Sequence, residues 1–211
     1  MDQGCARCAG LDQAALGRLR GLLGGNAWFM RAIRAVAASR LPDAWIGAGV
    51  IRDVIWGQLF GRFIAADVRD IDVPFFDPAD LRMERDLSAQ QDLVRQASGL
   101  PWEATNQAAV HTWFHQYFGG APVEPLASVH DAIATWPESA TCVAVRLRAG
   151  TLIGEPQPAD LVVCAPLGLG DLLGGVWRPN SVRVTPEVSM ARLARQRVRE
   201  RWPGVRIELP G

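Results

Sequence analysis

Apolar residues recur at spacings of three and four along several stretches of the chain, and this periodicity predicts amphipathic helices. The first two are predicted over Leu11–Leu23 and Asn26–Ser39, separated by Gly24-Gly25, with Asn26 as the N-cap of the second. Further helices are predicted over Val50–Leu59, Leu81–Ala97, Gln107–Phe118, Ser128–Thr135 and Glu187–Arg201.

Two of these predicted helices are rich in charge. In Leu81–Ala97 the inward positions are expected to be Leu81, Leu87 and either Leu93 or Val94. The terminal helix carries five arginines from Arg192 to Arg201. This basic face either contacts RNA or is a solvated surface interleaved with Glu200.

Short apolar or alternating runs between the helices predict strands. They are Ala44–Ile46, Asp70–Phe76, Leu100–Ala104 and Thr141–Leu147, followed by a hairpin-like run through Leu152-Ile153 and Leu161–Val163. Pro74 cannot donate to a ladder, so this end either lies at a sheet edge or stops pairing there. With no repeat and no low-complexity linker, residues 1–211 are predicted to form a single α/β (α+β) domain after a flexible tail at 1–10. We expect a small mixed sheet packed with helices.

The composition is that of an ordinary globular protein, with 49% hydrophobic, 21% charged and 8% aromatic residues among 211. Twenty-two basic residues balance 22 acidic ones, so attraction to a polyanion requires a local patch. The sequence contains no lysine. This excludes Walker-type phosphate loops, pyridoxal enzymes and ligases that use a lysine nucleophile.

The four cysteines give no strong metal signal. Cys5 and Cys8 have zinc-knuckle spacing without a second pair of ligands, so either a zinc site or two free thiols in a tail is compatible with them. Cys142 and Cys164 lie in apolar runs and are expected to be buried. The sequence shows neither a signal-peptide layout nor a long apolar span, so a cytoplasmic location is expected.

The richest chemistry lies between residues 47 and 72. Asp70 and Asp72 are two residues apart on a predicted strand, so their carboxylates point to one face and could share divalent cations. Upstream, Gly47-Ala48-Gly49 leads into a helix start, whose backbone N–H groups could hold a phosphate. The alternatives are a solvated acidic face and an ordinary tight strand-to-helix turn.

A two-metal site for nucleotidyl transfer commonly includes a third carboxylate on a neighbouring strand. Glu103 is the candidate, because Trp102 and Ala104 flank it with apolar side chains. Asn106 could contact a ribose or base, and a helix cap explains it equally well.

Histidine and tryptophan offer weaker candidates. His111 and His115 share a helical face without a third zinc ligand nearby, which favours a structural role. Eight tryptophans could include a platform for stacking bases, although most are expected in the core.

Several motifs resemble a bacterial group labelled "nucleotidyltransferase family protein". They are Trp45–Trp56, Asp70–Val73, Phe75–Pro78, Trp102-Glu103, Asn106–Ala108, His111, Ala134–Pro137, Thr141–Arg146, Ala165–Leu169 and Asp171-Leu172. That group is similar to the head domain of CCA-adding enzymes and, more remotely, to DNA polymerase beta-like nucleotidyltransferases. The resemblance implies their fold, with Asp70 and Asp72 as the metal pair. One departure is Ala48-Gly49, where CCA-adding enzymes have two adjacent glycines.

The residues and the resemblance together predict a nucleotidyltransferase dependent on Mg²⁺ or Mn²⁺ that moves an NMP from an NTP to a hydroxyl acceptor and releases pyrophosphate. The acceptor could be a small molecule, an RNA end or a protein side chain. The predicted site residues are Gly47, Ala48, Gly49, Arg52 and Asn106 for the nucleotide, and Asp70, Asp72 and Glu103 for the metals and catalysis. The alternatives are a catalytically silent nucleotide- or RNA-binding module and a structural partner that docks through the terminal helix.

Overall fold

The computed structural model describes residues 10–119, 121–151 and 155–209. Cys5, Cys8 and the Leu152-Ile153 part of the hairpin-like run lie outside these residues. In the described part of the chain, no helix is long and apolar enough to cross a bilayer.

Helices make up most of the secondary structure. They are α1 (Gln13–Gly24), α2 (Ala27–Ser39), α3 (Gly49–Phe60), α4 (Met83–Gln96), α5 (Val110–Phe118), α6 (Val129–Ala134), α7 (Gly170–Gly174), α8 (Pro186–Gln196) and α9 (Val198–Arg201). Side-chain oxygens of Asn26 and Ser128 accept hydrogen bonds from the first turns of α2 and α6, so both predicted helix starts are confirmed.

The main sheet is mixed. Its strands are β1 (Ile46–Gly47), β2 (Ile71–Phe75), β3 (Trp102–Asn106), β4 (Ala144–Leu147) and β5 (Leu161–Cys164). They lie in the order β3-β2-β1-β4-β5, in which β2 and β3 are parallel and the other neighbours antiparallel. A second, small sheet pairs β6 (Val176–Trp177) with β7 (Arg206–Ile207). The predicted mixed α/β architecture is therefore confirmed.

The two faces of the main sheet differ in what covers them. Ile71, Val73 and Phe75 of β2 point into the large core that α1 to α4 complete. On the opposite face, Ala144 and Cys164 pack under α6 in a smaller cluster. This second face carries Asp72 as well, at the end of the sheet away from Cys164.

Pro74 lies in an interior strand and not at a sheet edge. The parallel ladder to β3 continues past it, pairing Pro74 with Thr105. On the β1 side the paired register is confined to Gly47 and Asp72, after which the Trp45 N–H donates to the Pro74 carbonyl. The Phe76 N–H also donates to the Pro42 carbonyl, so backbone hydrogen bonds continue past Pro74 on both sides, and neither predicted alternative, a sheet edge or an end to pairing, holds.

The inward face predicted for α4 was largely wrong. Leu81, Leu87 and Val94 are exposed, whereas Leu93 is buried. The helix packs on α2 and β3 through Ala89 and Leu93, which are one turn apart. Leu87 lies about 200° around the helix from Ala89, so it faces solvent.

The terminal basic helix predicted over Glu187–Arg201 is two helices. Arg197 adopts the left-handed conformation (φ 52°, ψ 42°) and ends α8 before α9 begins. In one continuous helix Leu193 and Val198 would point about 140° apart. The break allows both side chains to reach the core.

Candidate active site

Three carboxylates meet on the open face of the sheet. Asp70 directly precedes β2, Asp72 lies on it, and Glu103 is in register with Asp72 on the parallel strand β3. One oxygen from each lies within 4.8 Å of the others. The structure thus brings together the three side chains that were predicted as metal ligands, a donor set suited to Mg²⁺ or Mn²⁺.

The negative charge of this acidic cluster is only partly compensated by the Gly49 N–H and the Arg52 guanidinium. Burial, followed by the charges of Asp70 and Glu103, raises the pKa of Asp72 to about 7. The pKa of Glu103 is raised as well, mainly by burial and then by Asp70. Carboxylates that repel one another in this way bind a cation in preference to standing alone.

The glycine turn lies beside the cluster. Gly47 is paired with Asp72 across β1 and β2, and the next residues lead directly into the N-terminus of α3. The backbone N–H of Gly49 donates to the Asp72 carboxylate, which lowers the pKa of that group. The turn and the carboxylates are therefore one structural unit.

Ala48 carries the backbone strain of this turn. Its φ is +57° and its ψ is −127°, a conformation that favours glycine. Its amide is fixed by a hydrogen bond to the Val143 carbonyl. A strained alanine therefore stands at the first of the two positions where the pattern of CCA-adding enzymes has adjacent glycines.

Arg52 lies behind the turn in a buried ion network. It is 5% exposed and donates to Asp53 at 2.9 Å and to Glu138 at 3.0 Å. Arg201 reaches the other Asp53 oxygen at 2.6 Å. The guanidinium is therefore anchored by two carboxylates. It lies close to the turn, because a Cβ built on Gly49 would be 3.6 Å from its Nη2.

Glu138 is the centre of this network and was not predicted from the sequence. It is fully buried and accepts hydrogen bonds from Arg52, Gln196 and Arg192. It therefore ties the glycine turn to α8. The signal available in the sequence was that Glu138 is the lone acid of the segment between α6 and β4, which indicates nothing about its partners.

A cavity of about 570 Å³ opens onto the three carboxylates. The predicted residues on its wall are Ala48, Gly49, Arg52, Asp70, Asp72 and Glu103. The wall also includes Trp113, Phe114, Arg69 and Arg183, which the sequence did not single out. Trp136, from the motif Ala134–Pro137, and Arg195, from the predicted terminal helix, line it as well. Its size is in the range of sites for small ligands.

Asn106 does not line this cavity. It is fully buried, and its amide accepts from the Asp77 and Ala108 N–H groups and donates to the Asp77 and Asp80 carbonyls. Its cap role is confirmed. Because the amide bonds with four groups of the chain, we leave Asn106 out of the nucleotide site proposed below.

The other candidates are mostly structural. Among the described residues, the group that could hold a metal is the acidic one, and neither His111 nor His115 belongs to it. Cys142 and Cys164 are buried, as expected, and neither forms a disulfide with a described residue. Arg192, Arg197 and Arg201 form ion pairs with Glu138, Glu200 and Asp53.

The arrangement agrees with comparisons to known proteins. The family described as nucleotidyltransferase matches residues 34–207. A solved NMR structure described as revealing a CCA-adding enzyme head domain is similar to this chain with a TM-score of 0.71 and 26% identity, covering 94% of this chain and 96% of that one. No protein with a curated function matches. An acidic cluster beside a glycine turn on this fold, together with the family match, shows that the chain belongs to the nucleotidyltransferase family and is a nucleotidyltransferase.

Proposed function

We propose that this protein transfers an NMP from an NTP to a hydroxyl acceptor and releases pyrophosphate, using divalent metal ions held by Asp70, Asp72 and Glu103. The observation that carries the proposal is the junction of the acidic cluster with the glycine turn, where the Gly49 N–H contacts the Asp72 carboxylate. A phosphate held at that turn would lie against ions held by the cluster.

The donor set supports the metal part of the proposal. Three carboxylate oxygens within 4.8 Å of one another form a hard, anionic site, and the raised pKa of Asp72 reflects a charge that a cation would neutralise. Mg²⁺ or Mn²⁺ bound there would offset the charge on the phosphoryl oxygens and lower the pKa of the acceptor hydroxyl.

The pyrophosphate end of the NTP is assigned to the turn and the arginines beside it. The N-cap residue of α3, Ala48, has no side chain that caps the first turn, and helix N-termini favour anions. Arg69 and Arg195 line the cavity, and neither forms an ion pair with a described residue. Arg52 stays anchored to its carboxylates and contributes by holding the turn in place.

The acceptor is assigned to the opposite end of the cavity. An in-line displacement requires the attacking hydroxyl to lie across the α-phosphorus from the leaving pyrophosphate. Beyond Glu103 the wall continues through Thr105 and Gln107 to Trp113 on α5. A small molecule, an RNA end or a protein side chain could present its hydroxyl there.

The test is transfer of label from α-³²P-NTPs in cell extract with Mg²⁺ or Mn²⁺, comparing wild type with Asp70→Ala and with Asp67→Asn, an exposed acid outside the cluster. We expect labelled product and pyrophosphate with wild type and Asp67→Asn, and none with Asp70→Ala. NTP binding without pyrophosphate release under any metal and nucleotide would favour the silent binding module and overturn the proposal.

A further inference from the structure

Trp136 occupies a place on the sheet that glycine alone makes available. The residues Glu103, Asp72, Gly47 and Ala144 are successive register partners across β3, β2, β1 and β4. Register partners project to the same face of a sheet. Gly47 therefore leaves a gap in this row next to Asp72, and the indole of Trp136 fills it.

The gap is required by the indole. A Cβ built on Gly47 would lie 2.8 Å from Cζ3 of Trp136 and closer still to Cη2. Neighbouring strands are about 4.8 Å apart, and Gly47 on β1 is paired with Asp72 on β2. The ring beside Gly47 therefore lies one strand away from Asp72. Trp136 is half-buried and lines the cavity, so part of its surface is available to a ligand.

The backbone around Trp136 is held rigidly. The side-chain amide of Asn180 donates to the carbonyls of Ala134 and Trp136, both at 2.9 Å. The Trp136 N–H donates to the Ile133 carbonyl at the end of α6. With its backbone held by these bonds and its ring packed over Gly47, Trp136 loses little conformational entropy when a ligand stacks on it.

The proposed transfer reaction places the nucleoside off the line that joins the leaving pyrophosphate to the acceptor. Pyrophosphate lies toward the α3 N-terminus, and the acceptor lies toward α5. The ribose and base must therefore leave the α-phosphate sideways from this line. On the β1 side of the acidic cluster, the cavity wall includes the indole of Trp136 over Gly47.

We propose that Trp136 is the stacking surface for the nucleobase of the NTP. This inference rests on the function proposed above and adds the binding site for the base. Stacking accepts any base, so Trp136 supplies affinity for the nucleoside half of the substrate, and its contribution is absent from a ligand that lacks a base.

The test measures the affinities of α,β-methylene-ATP and of tripolyphosphate, each with Mg²⁺, by titration calorimetry. Trp136→Phe keeps an aromatic face and Trp136→Leu removes it. We expect Trp136→Leu to weaken binding of the ATP analogue about 5- to 100-fold while binding of tripolyphosphate changes less than about twofold. Trp136→Phe is expected to retain most of the affinity, and the control Trp28→Leu, at a half-buried tryptophan outside the cavity, all of it. Trp113→Leu tests whether the base lies at the acceptor end instead.

The outcomes separate this inference from the proposed function. If both ligands bind and Trp136→Leu binds the ATP analogue as tightly as Trp136→Phe, the inference is wrong and the proposed function stands. Loss of the analogue's affinity in Trp113→Leu alone would place the base at α5 and also overturn it. If neither ligand binds to wild type, both proposals fall. Circular dichroism of each variant establishes that the fold is retained.

Discussion

Replacing Asp72 with asparagine is expected to stabilise the metal-free protein at alkaline pH while it removes a proposed metal ligand. Burial and two neighbouring carboxylates raise the pKa of Asp72 to about 7 from the ordinary 3.8. The folded state therefore keeps a proton on Asp72 that the unfolded state releases. In this situation the free energy of unfolding falls as pH rises from about 4 to about 7 and is then constant.

The size of the effect follows from the same pKa. The pKa values of Asp72 in the folded and unfolded states differ by about 3, which corresponds to ~4 kcal/mol at the most. The side chain faces an open cavity where water screens it, so we expect about half of that, ~2 kcal/mol. The asparagine side chain would carry no charge at any pH, and the variant should therefore exceed wild type by ~2 kcal/mol at pH 8 and equal it near pH 4.

Urea unfolding in EDTA, followed by tryptophan fluorescence at pH 4.5 and pH 8, measures this difference. Asp67→Asn is the control for a surface acid and should follow wild type at both pH values. Adding Mg²⁺ at pH 8 should stabilise wild type and not Asp72→Asn. A variant that is less stable than wild type at pH 8, or that keeps the wild-type pH dependence, would refute the account in which burial and carboxylate repulsion destabilise the ionised Asp72.

Three further predictions follow from the surrounding structure. Glu138→Ala should lower the free energy of unfolding by ~3–5 kcal/mol because it leaves a buried guanidinium short of an anion, and Glu138→Gln should cost less; denaturant titration measures both. Gly47→Ala should lower the melting temperature through its collision with the indole, whereas Gly21→Ala, with open space around it in α1, should raise it slightly. If α8 and α9 contact RNA, Arg195→Glu with Arg199→Glu should weaken RNA binding and reduce its salt dependence in a filter-binding assay, and unchanged affinity would exclude that surface.

The parts of the site that follow from local sequence were predictable. Asp70 and Asp72 share a face because β2 alternates, and the turn at Gly47–Gly49 is set by glycine next to a helix start. Glu103 could be assigned because a strand with an acid between apolar residues has one face toward the core. Each inference uses neighbours within a few residues.

The ion network behind the turn was not predictable in this way. Arg52 and Glu138 are 86 positions apart in sequence, and the pairing depends on how α3 packs beside the segment before β4. The break at Arg197 has a similar origin, because burial of Val198 outweighs the local preference for one continuous helix.

The position of the site is explained by how the row of side chains changes across the sheet. From β5 to β3 the row runs Cys164, Ala144, Gly47, Asp72 and Glu103. The first two are small and apolar, so α6 can pack on them, but no apolar helix could cover the two acids without leaving buried charges unpaired. One end of this sheet face is therefore buried under α6, and the other end is open to the cavity. Trp136 stands at the boundary, over the glycine, because a wide ring can close the core on one side and still present a surface to the cavity on the other.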